Sequence, residues 1–571
     1  MMDPKKPSSL LYGVTENPPL WITTIQGFQH VCVYAISLIF PVVIVREVGG
    51  SVEQASFLVS MSMVAGGIGV IVQAFSKGPI GAGYLCPQVC GPSFLAASIL
   101  AAKTGGLSLV LGMTTIAGVL EALFSRVIRH LRFLFPPEIT GFIVAMVGIT
   151  VVRFASLNFL GLDSADHVTE ARELCVALLT LGLMVGLNVW SKGKLKLFCV
   201  LVGMMAGYAA SYAFGLIGDS QLSEIGKAAV IWFPLSEHPG WSFNLYLLIP
   251  FVIAMICSSL KSIGDLTTCQ KVNDDNWKRP DMQNISKGIL ADAIGCTAGG
   301  VLGGMGQSTS SSNIGLSIAT GVTSRVLAYS MGGILIGMSF FPKLSAVFAI
   351  MPKPVMGATL IFALSFMVIA GLQIVMSRMI DARKTFIIGI SLIFGLTVDL
   401  MPEAFTGVHP WISPIFSSSL STGALTAVIL NLIFRIGIAK KVRLELAPEA
   451  QSSERLFEFM EKTGGLWGAR EEVIMKCISA VNEFLEAVVE HEITHEPIDL
   501  EVSFDEFNLD AFLQYRGEPL EFPSQRPDAS KVLTDVSAQL ELSAFLIRQY
   551  ANKVNVSVKN GTSVIRLHFD H

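Results

Sequence analysis

Apolar positions along this chain gather into runs of about 20 residues, the length an α-helix needs to cross roughly 30 Å of hydrocarbon. They lie near 22–45, 54–76, 106–128, 138–156, 173–191, 195–217, 245–268, 328–350, 355–376, 383–400 and 417–438. Shorter stretches near 83–102, 285–304 and 312–327 are broken or diluted by glycine and proline. The pattern predicts an α-helical polytopic membrane protein with about fourteen spans. After residue 445 the pattern changes to one of amphipathic helix and alternating strands.

Composition sharpens this picture. Of 571 residues, 52% are hydrophobic and only 15% charged, and the charge is denser after residue 440, where 36 of the 84 charged residues fall, which leaves the first three quarters too apolar for a water-soluble fold. Mean hydropathy is +0.60.

Lys and Arg collect on the cytoplasmic side of membrane proteins. Alternate loops carry Arg126, Arg129 and Arg132, then Lys192, Lys194 and Lys196, then Lys271, Lys278, Arg279 and Lys287, then Arg378, Arg383 and Lys384. An even number of spans with both termini cytoplasmic, in the cell inner membrane, fits this asymmetry. The opening "MMDPKKPSSLLYGVTENPP" has no apolar core of a cleaved signal and reads as a cytoplasmic tail, residues 1–17.

The nine cysteines are scattered, and Cys86 and Cys90 have no second pair or histidine cluster to complete a metal set. No metal, cofactor or nucleic-acid partner is expected, and no enzyme activity.

Two broken segments occupy corresponding places in the halves of the membrane region: "GAGYLCPQVCGPSFLAAS" (81–98) and "GQSTSSSNIGLSIATGVTSR" (306–325). Unwound backbone survives at membrane depth only where it lines a polar cavity or is buried in protein. In secondary transporters such pairs point to the substrate site, with the positive end of a half-helix aimed at the cargo. Between them, "IPFVIAMICSSLKSIGDLTTCQ" (249–270) carries Lys261 and Asp265 one turn apart. Intramembrane ionisable residues are costly and mark function by default, while i, i+4 spacing equally permits a structural ion pair.

At these residues the chain resembles the nucleobase–ascorbate transporters, or uracil–xanthine permeases. "GFQHVCVY" (27–34) is similar to the Gln–His motif of the family's first helix, and "CGPSFL" (90–95) to the Gly-x-Ser-Phe of its third segment. "SIGDLTTCQKV" (262–272) and "GILADAIG" (288–295) resemble its eighth and ninth helices, and "MPKPVMGATLIFALSFMVIAGLQIV" (351–375) its twelfth. "NIGLSIATGVTSR" (313–325) carries the signature of the tenth.

The resemblance, over about 18–440, implies seven plus seven inverted repeats, core and gate domains, and two short strands meeting at the bilayer midplane. It also implies uptake of a nucleobase, an oxopurine such as xanthine or urate, or uracil, with proton symport, by a homodimer. Gln29, His30, Ser93, Phe94 and Asn313 match the family's substrate-site positions. Two positions depart from the pattern: Lys261 stands where the eighth helix has a Glu, and Ser312 where the tenth has Gln or Glu. A lysine there supplies donors and suits an acceptor-rich or anionic substrate. With that Glu absent, His30 and Asp265 are the candidates for proton or ion coupling. The rival on the same fold is a sulfate-permease-like transporter or exchanger of small anions.

Residues 441–571 form a small cytoplasmic α/β domain in this reading, with a helix at 469–491, strands near 498–520, 552–561 and 562–571, and a turn at Asn560–Gly561. The order resembles a degenerate ATPase domain of the anti-sigma-factor and histidine-kinase (GHKL) class. Glu483 matches its catalytic position, but Ala487 and Tyr515 replace the Asn and Asp that bind nucleotide, and its glycine-rich loop survives only as "ELSAFLIR". The expected role is regulatory, toward a cytoplasmic partner.

Overall fold

The computed structural model describes the chain apart from residues 1–4, 129–135, 163–169, 192–197, 219–222, 224–225, 227–228, 233–237, 278–279, 406, 410–412, 437–439, 450, 506–507, 524, 528–534 and 560. The loop charges Arg129, Arg132, Lys192, Lys194, Lys196, Lys278 and Arg279 and the turn residue Asn560 lie outside the described residues. Two compact units make up the chain, one of residues 1–373 with 389–428 and the other of 374–388 with 429–571.

The first unit is helical. A first span, Leu20–Glu47, consists of α1 (Leu20–Tyr34), one 3₁₀ turn and α2 (Ile39–Glu47). Helix α3 (Val52–Gln73) opens on a capping box in which Ser51 and Gln54 exchange side-chain and backbone bonds. Strand β1 (Gln88–Cys90) precedes α4 (Leu95–Val127), which breaks its helical geometry at Gly105 and Gly106. Then come α5 (Pro137–Phe159), α6 (Ala171–Trp190), α7 (Cys199–Ala213), α8 (Leu248–Asn273) and α9 (Met282–Leu302). Strand β2 (Gln307–Thr309) leads into α10 (Ser311–Thr320), followed by α11 (Val326–Ser339), α12 (Pro342–Ala349), α13 (Lys353–Met376), α14 (Ala382–Leu400) and α15 (Ser419–Phe434).

Among the described residues, eight helices are long and apolar enough to cross a membrane, or nine if α11 and α12, bent by 85°, form one span. The expected fourteen are therefore not all present as full spans. The third segment is part strand and its helix continues through Gly105 and Gly106 into the expected span 106–128 as the single helix α4, while the tenth is part strand followed by a helix of ten residues. Helices α7 and α15 fall short in length. Helix α14 carries Arg383, Lys384 and Asp399 within its nineteen residues. The expected span 328–350 is divided where Pro342 starts a new helix, since proline cannot donate to the preceding turn.

The N-terminal segment is anchored. Leu11 N–H donates to Gly321 O at 2.8 Å, Thr323 N–H to Tyr12 O at 2.9 Å and Ser324 Oγ to Glu16 O at 2.6 Å. This docking needs the sharp end of α10, where Gly321 takes φ +68°, a left-handed cap that only glycine adopts without strain.

The second unit contains a five-stranded antiparallel sheet in the order β3–β4–β5–β7–β6, from β3 (Lys441–Leu446), β4 (Ile498–Phe504), β5 (Asn508–Arg516), β6 (Lys553–Lys559) and β7 (Thr562–Asp570). Inward residues alternate with outward ones along β4, β5 and β7. Helices α16 (Ser452–Trp467), α17 (Glu471–Glu490) and α18 (Val536–Tyr550) supply Leu456, Met460, Ile474, Phe484 and Ile547 to the shared core. The stretch "ELSAFLIR", expected as the remnant of a phosphate loop, lies inside α18. Tyr515 is a core residue, 5.2 Å from Phe484 between ring centres, with its hydroxyl on Glu518 O at 3.0 Å. Ala487 is fully buried, so helix packing occupies the place expected for a magnesium-binding side chain.

This unit extends beyond the expected boundary at 440. It takes in 374–388 because that segment bonds to it: Met379 N–H donates to Ala469 O at 3.2 Å, and Arg378 Nη1 lies 2.9 Å from His571 Nε2.

Candidate functional site

The two broken segments meet as antiparallel strands. Gln88 pairs with Thr309, Val89 with Ser308 and Cys90 with Gln307. The ladder is extended by Gly91 N–H to Gly306 O at 2.8 Å and Ser310 N–H to Pro87 O at 2.9 Å. All six strand residues are buried. Each broken segment thus satisfies the backbone groups that the other leaves open, as an apolar surrounding requires.

Phe94 lies fully buried in the 3₁₀ turn that joins β1 to α4. It packs so closely on the strand connections that a Cβ added at Gly306 would stand 2.8 Å from its ring. Ser93 is buried beside it and its hydroxyl has no hydrogen-bond partner among the described residues.

Ser310 caps α10, accepting from Asn313 N–H at 3.3 Å and from Asn313 Nδ2 at 3.1 Å. Committing Nδ2 to Ser310 leaves Asn313 Oδ1 to face His30 Nδ1 at 2.9 Å. The neutral imidazole then carries its proton on Nδ1 and presents Nε2 as an acceptor. His30 Nε2 is buried without a partner among the described residues, as is Oε1 of the neighbouring Gln29.

Lys261 and Asp265 hold the other side of the same turn. Lys261 Nζ lies 3.0 Å from Asp265 Oδ2 and also donates to Thr309 O on β2. Asp265 Oδ2 accepts from Thr309 Oγ1 at 2.6 Å and its Oδ1 from Ser311 Oγ at 2.6 Å, while Ser262 Oγ is 3.1 Å from Thr309 Oγ1. Both charged groups are buried. The i, i+4 ion pair therefore binds α8 to the end of β2 and the first turn of α10, and two of the three Lys261 donors are in use.

Residues 309–313 collect both groups: His30 and Asn313 with Ser310, and Lys261 and Asp265 with Thr309 and Ser311. Ser312 lies exposed on α10 and shares none of these bonds.

Sequence reasoning missed Glu121 on α4 and Gln88 on β1. A lone carboxylate within an apolar run was the available signal for Glu121. Asp292 on α9 lies fully buried beside Ser262 and Gln88.

Broken spans closed by a strand pair, with unpaired polar atoms and a buried aromatic side chain at the turn, belong to a multi-pass membrane protein of the transporter class. Residues 22–404 match a family model described as Permease family, of the xanthine–uracil permease type, and the chain belongs to that family of nucleobase permeases. Xanthine permease XanP of Escherichia coli is 28% identical over 75% of this chain and 95% of its own length. Xanthine permease XanQ of the same organism is 26% identical over 79% and 98%, and the xanthine permease of Bacillus subtilis is 28% identical over 73% and 95%. The match to the family model ends at residue 404, before the second unit's sheet begins at Lys441.

Among solved structures, the transmembrane domain of the cyanobacterial bicarbonate transporter BicA is similar at a TM-score of 0.46 and 13% identity, covering 73% of this chain and all of that one. The murine Slc26a9 anion transporter in its inward-facing state is similar at 0.49 and 11%, covering 76% and 70%.

Proposed function

We propose that this permease carries an oxopurine such as xanthine or urate, or uracil, across the cytoplasmic membrane with proton symport, both termini lying in the cytoplasm. The observation that carries the reading is the set of unpaired polar atoms around the strand pair. Ser93 Oγ, Gln29 Oε1 and His30 Nε2 are all buried without a partner among the described residues, and the Phe94 ring is packed beside the strands. A planar base with alternating amide donors and acceptors satisfies such a set edge-on while its face stacks on an aromatic ring.

Lys261 enters as the tether of β2 with one N–H left for an acceptor-rich or anionic base. Ser312 extends the site along α10. The small-anion alternative is not favoured, because the matched family and the curated relatives are purine and xanthine permeases.

A thermal-shift panel tests this on the purified protein, since a ligand bound only by the folded state raises its melting point. Xanthine, urate, hypoxanthine, guanine, uracil, sulfate and bicarbonate are compared. Stabilisation by an oxopurine or uracil is expected, and stabilisation by the inorganic anions alone would overturn the reading.

A further inference from the structure

The second unit grips the turn between α13 and α14, and one imidazole closes the grip. Helix α13 enters that unit at Ile374 and α14 leaves it at Ile388, so the turn itself lies wholly within it. Helix α16 ends at Gly468, whose φ of +66° is the left-handed cap that redirects the chain and sets Ala469 O against Met379 N–H at 3.2 Å. The Met379 side chain fills the notch at Gly464, where an added Cβ would stand 2.8 Å from its sulfur.

His571 joins the residues next to these. It is buried, with its ring perpendicular to that of Phe504 on β4 at 4.8 Å between centres. Its Nε2 lies 2.9 Å from Arg378 Nη1 and accepts from the backbone N–H of Arg470 at 2.7 Å. A guanidinium and a backbone amide only donate, so Nε2 carries a lone pair and the ring is neutral, with its proton on Nδ1. A second proton, added at Nε2, would set an N–H against two N–H groups and a cation against the Arg378 guanidinium.

The acidic groups around the ring are committed elsewhere. Asp381 Oδ1, in the turn, caps α14 through Lys384 N–H at 3.0 Å. Glu472 on α17 pairs with Lys476 at 2.6 Å, and Asp570 Oδ1 on β7 lies 3.5 Å from His568 Nε2. Arg470 Nη2 donates to Asp570 O at 3.2 Å, which keeps a second guanidinium beside the ring.

We propose that His571 is a pH-sensitive latch: neutral, it holds the α13–α14 turn on the α/β unit, and protonated at Nε2 it lets the turn go. An imidazole changes charge between about pH 5 and 8, so the latch responds within the physiological range. The effect reaches the membrane through α13, whose Val355, Met356, Leu360 and Leu364 belong to the buried cluster that also holds Val89 and Phe94. Arg383 Nη1 in the first turn of α14 donates to Phe434 O at the end of α15 at 3.0 Å, so whatever moves the turn pulls on α15 as well. A turn held on a rigid body restrains these helices, and the released state carries the higher uptake rate. That effect on uptake rests on the permease reading, whereas the latch does not.

Hydrogen exchange on the full chain reads the latch at the Met379 and Arg470 amides, with the amides of β4 as the folding control. Protection over the intrinsic rate is expected to fall by up to about tenfold per pH unit between pH 7.5 and 5 in the native protein. It stays high throughout in His571→Gln, whose amide oxygen accepts the same bonds without titrating, and is low throughout in His571→Phe. Native protection independent of pH, or a fall that persists in folded His571→Gln, would overturn the proposal. Xanthine uptake into vesicles with both faces at pH 7.5 is the second readout: His571→Phe should be at least about twofold faster than the native protein and His571→Gln equal to it. Equal uptake in native protein and His571→Phe overturns control of transport by the latch. If none of the three takes up a base while exchange behaves as stated, the permease reading fails and the latch stands.

Discussion

His30 Nδ1 sits 2.9 Å from Asn313 Oδ1, joining the first span to the half-helix that follows the second strand, across 283 positions of sequence. The bond fixes the tautomer of the ring, and with it the acceptor offered at Nε2. Replacing Asn313 by Ala leaves a buried Nδ1–H without a partner, at a cost of about 1–3 kcal/mol. A melting point lowered on that scale, with base affinity reduced further, is expected; an unchanged melting curve would show that the ring is held by other means.

Lys261 and Asp265 form a pair in which each charge is compensated by the other. Removing one alone, as in Lys261→Ala, strands a buried carboxylate and is expected to cost about 3–5 kcal/mol. The double variant Lys261→Met with Asp265→Leu regains much of that loss. A double-mutant cycle on the melting points reads the coupling, and additive effects would contradict the ion pair as the tether of β2.

Phe94 and Gly306 share a contact too close for a further carbon. Gly306→Ala overpacks a fully buried ring, and a loss of about 1–3 kcal/mol follows from such crowding. Phe94→Ala relieves the crowding in Gly306→Ala while removing the stacking face for the base. Uptake assays should show the double variant folded and poorly active, whereas native affinity in Phe94→Ala would remove the ring from the site.

In the second unit, Asp510 accepts from Arg566 and from His568 Nδ1, the latter at 2.8 Å. Burial alone would push this carboxyl up, but the hydrogen bonds from Arg566 and His568 and the charges behind them outweigh it, and Asp510 sits below the usual aspartate range. A carboxyl lowered in the folded state contributes stability that is complete above its unfolded value and is lost as pH falls through the folded one. Hydrogen exchange in β5 and β7 of the intact protein should therefore speed up only below about pH 4. Asp510→Asn should show faster exchange already at neutral pH and a flatter acid response.

Much of the membrane unit was legible because apolar run length and glycine–proline interruptions report on helix and break directly. "QVC" and "QST" give no strand signal of their own. They are strands because each leaves open backbone groups that the other fills, a relationship across 217 to 221 positions that no local window contains. The candidate site was readable as motifs, yet the division of labour within it was not. Lys261 could equally be a ligand or a structural partner by spacing alone, and only the positions of Thr309 and Ser311 show what it holds. Glu121 carried no motif, and its bond from Ser259 depends on α4 and α8 packing side by side. In the second unit the alternation of β4, β5 and β7 was plain, whereas α18 was obscured by reading "ELSAFLIR" as a loop remnant.

Pairing between residues 88–90 and 307–309 also sets an order on biogenesis. A nascent chain that has not yet delivered Gln307 to the membrane holds Gln88–Cys90 as a strand without a mate, its amides and carbonyls open in a place where lipid offers nothing to bond. The first half therefore cannot reach its final state alone and waits, sheltered by helices or retained water, until the second half arrives. Synthesis arrested between the two strands should yield a product that proteases and chaperones treat as unfinished, however well its individual helices have inserted.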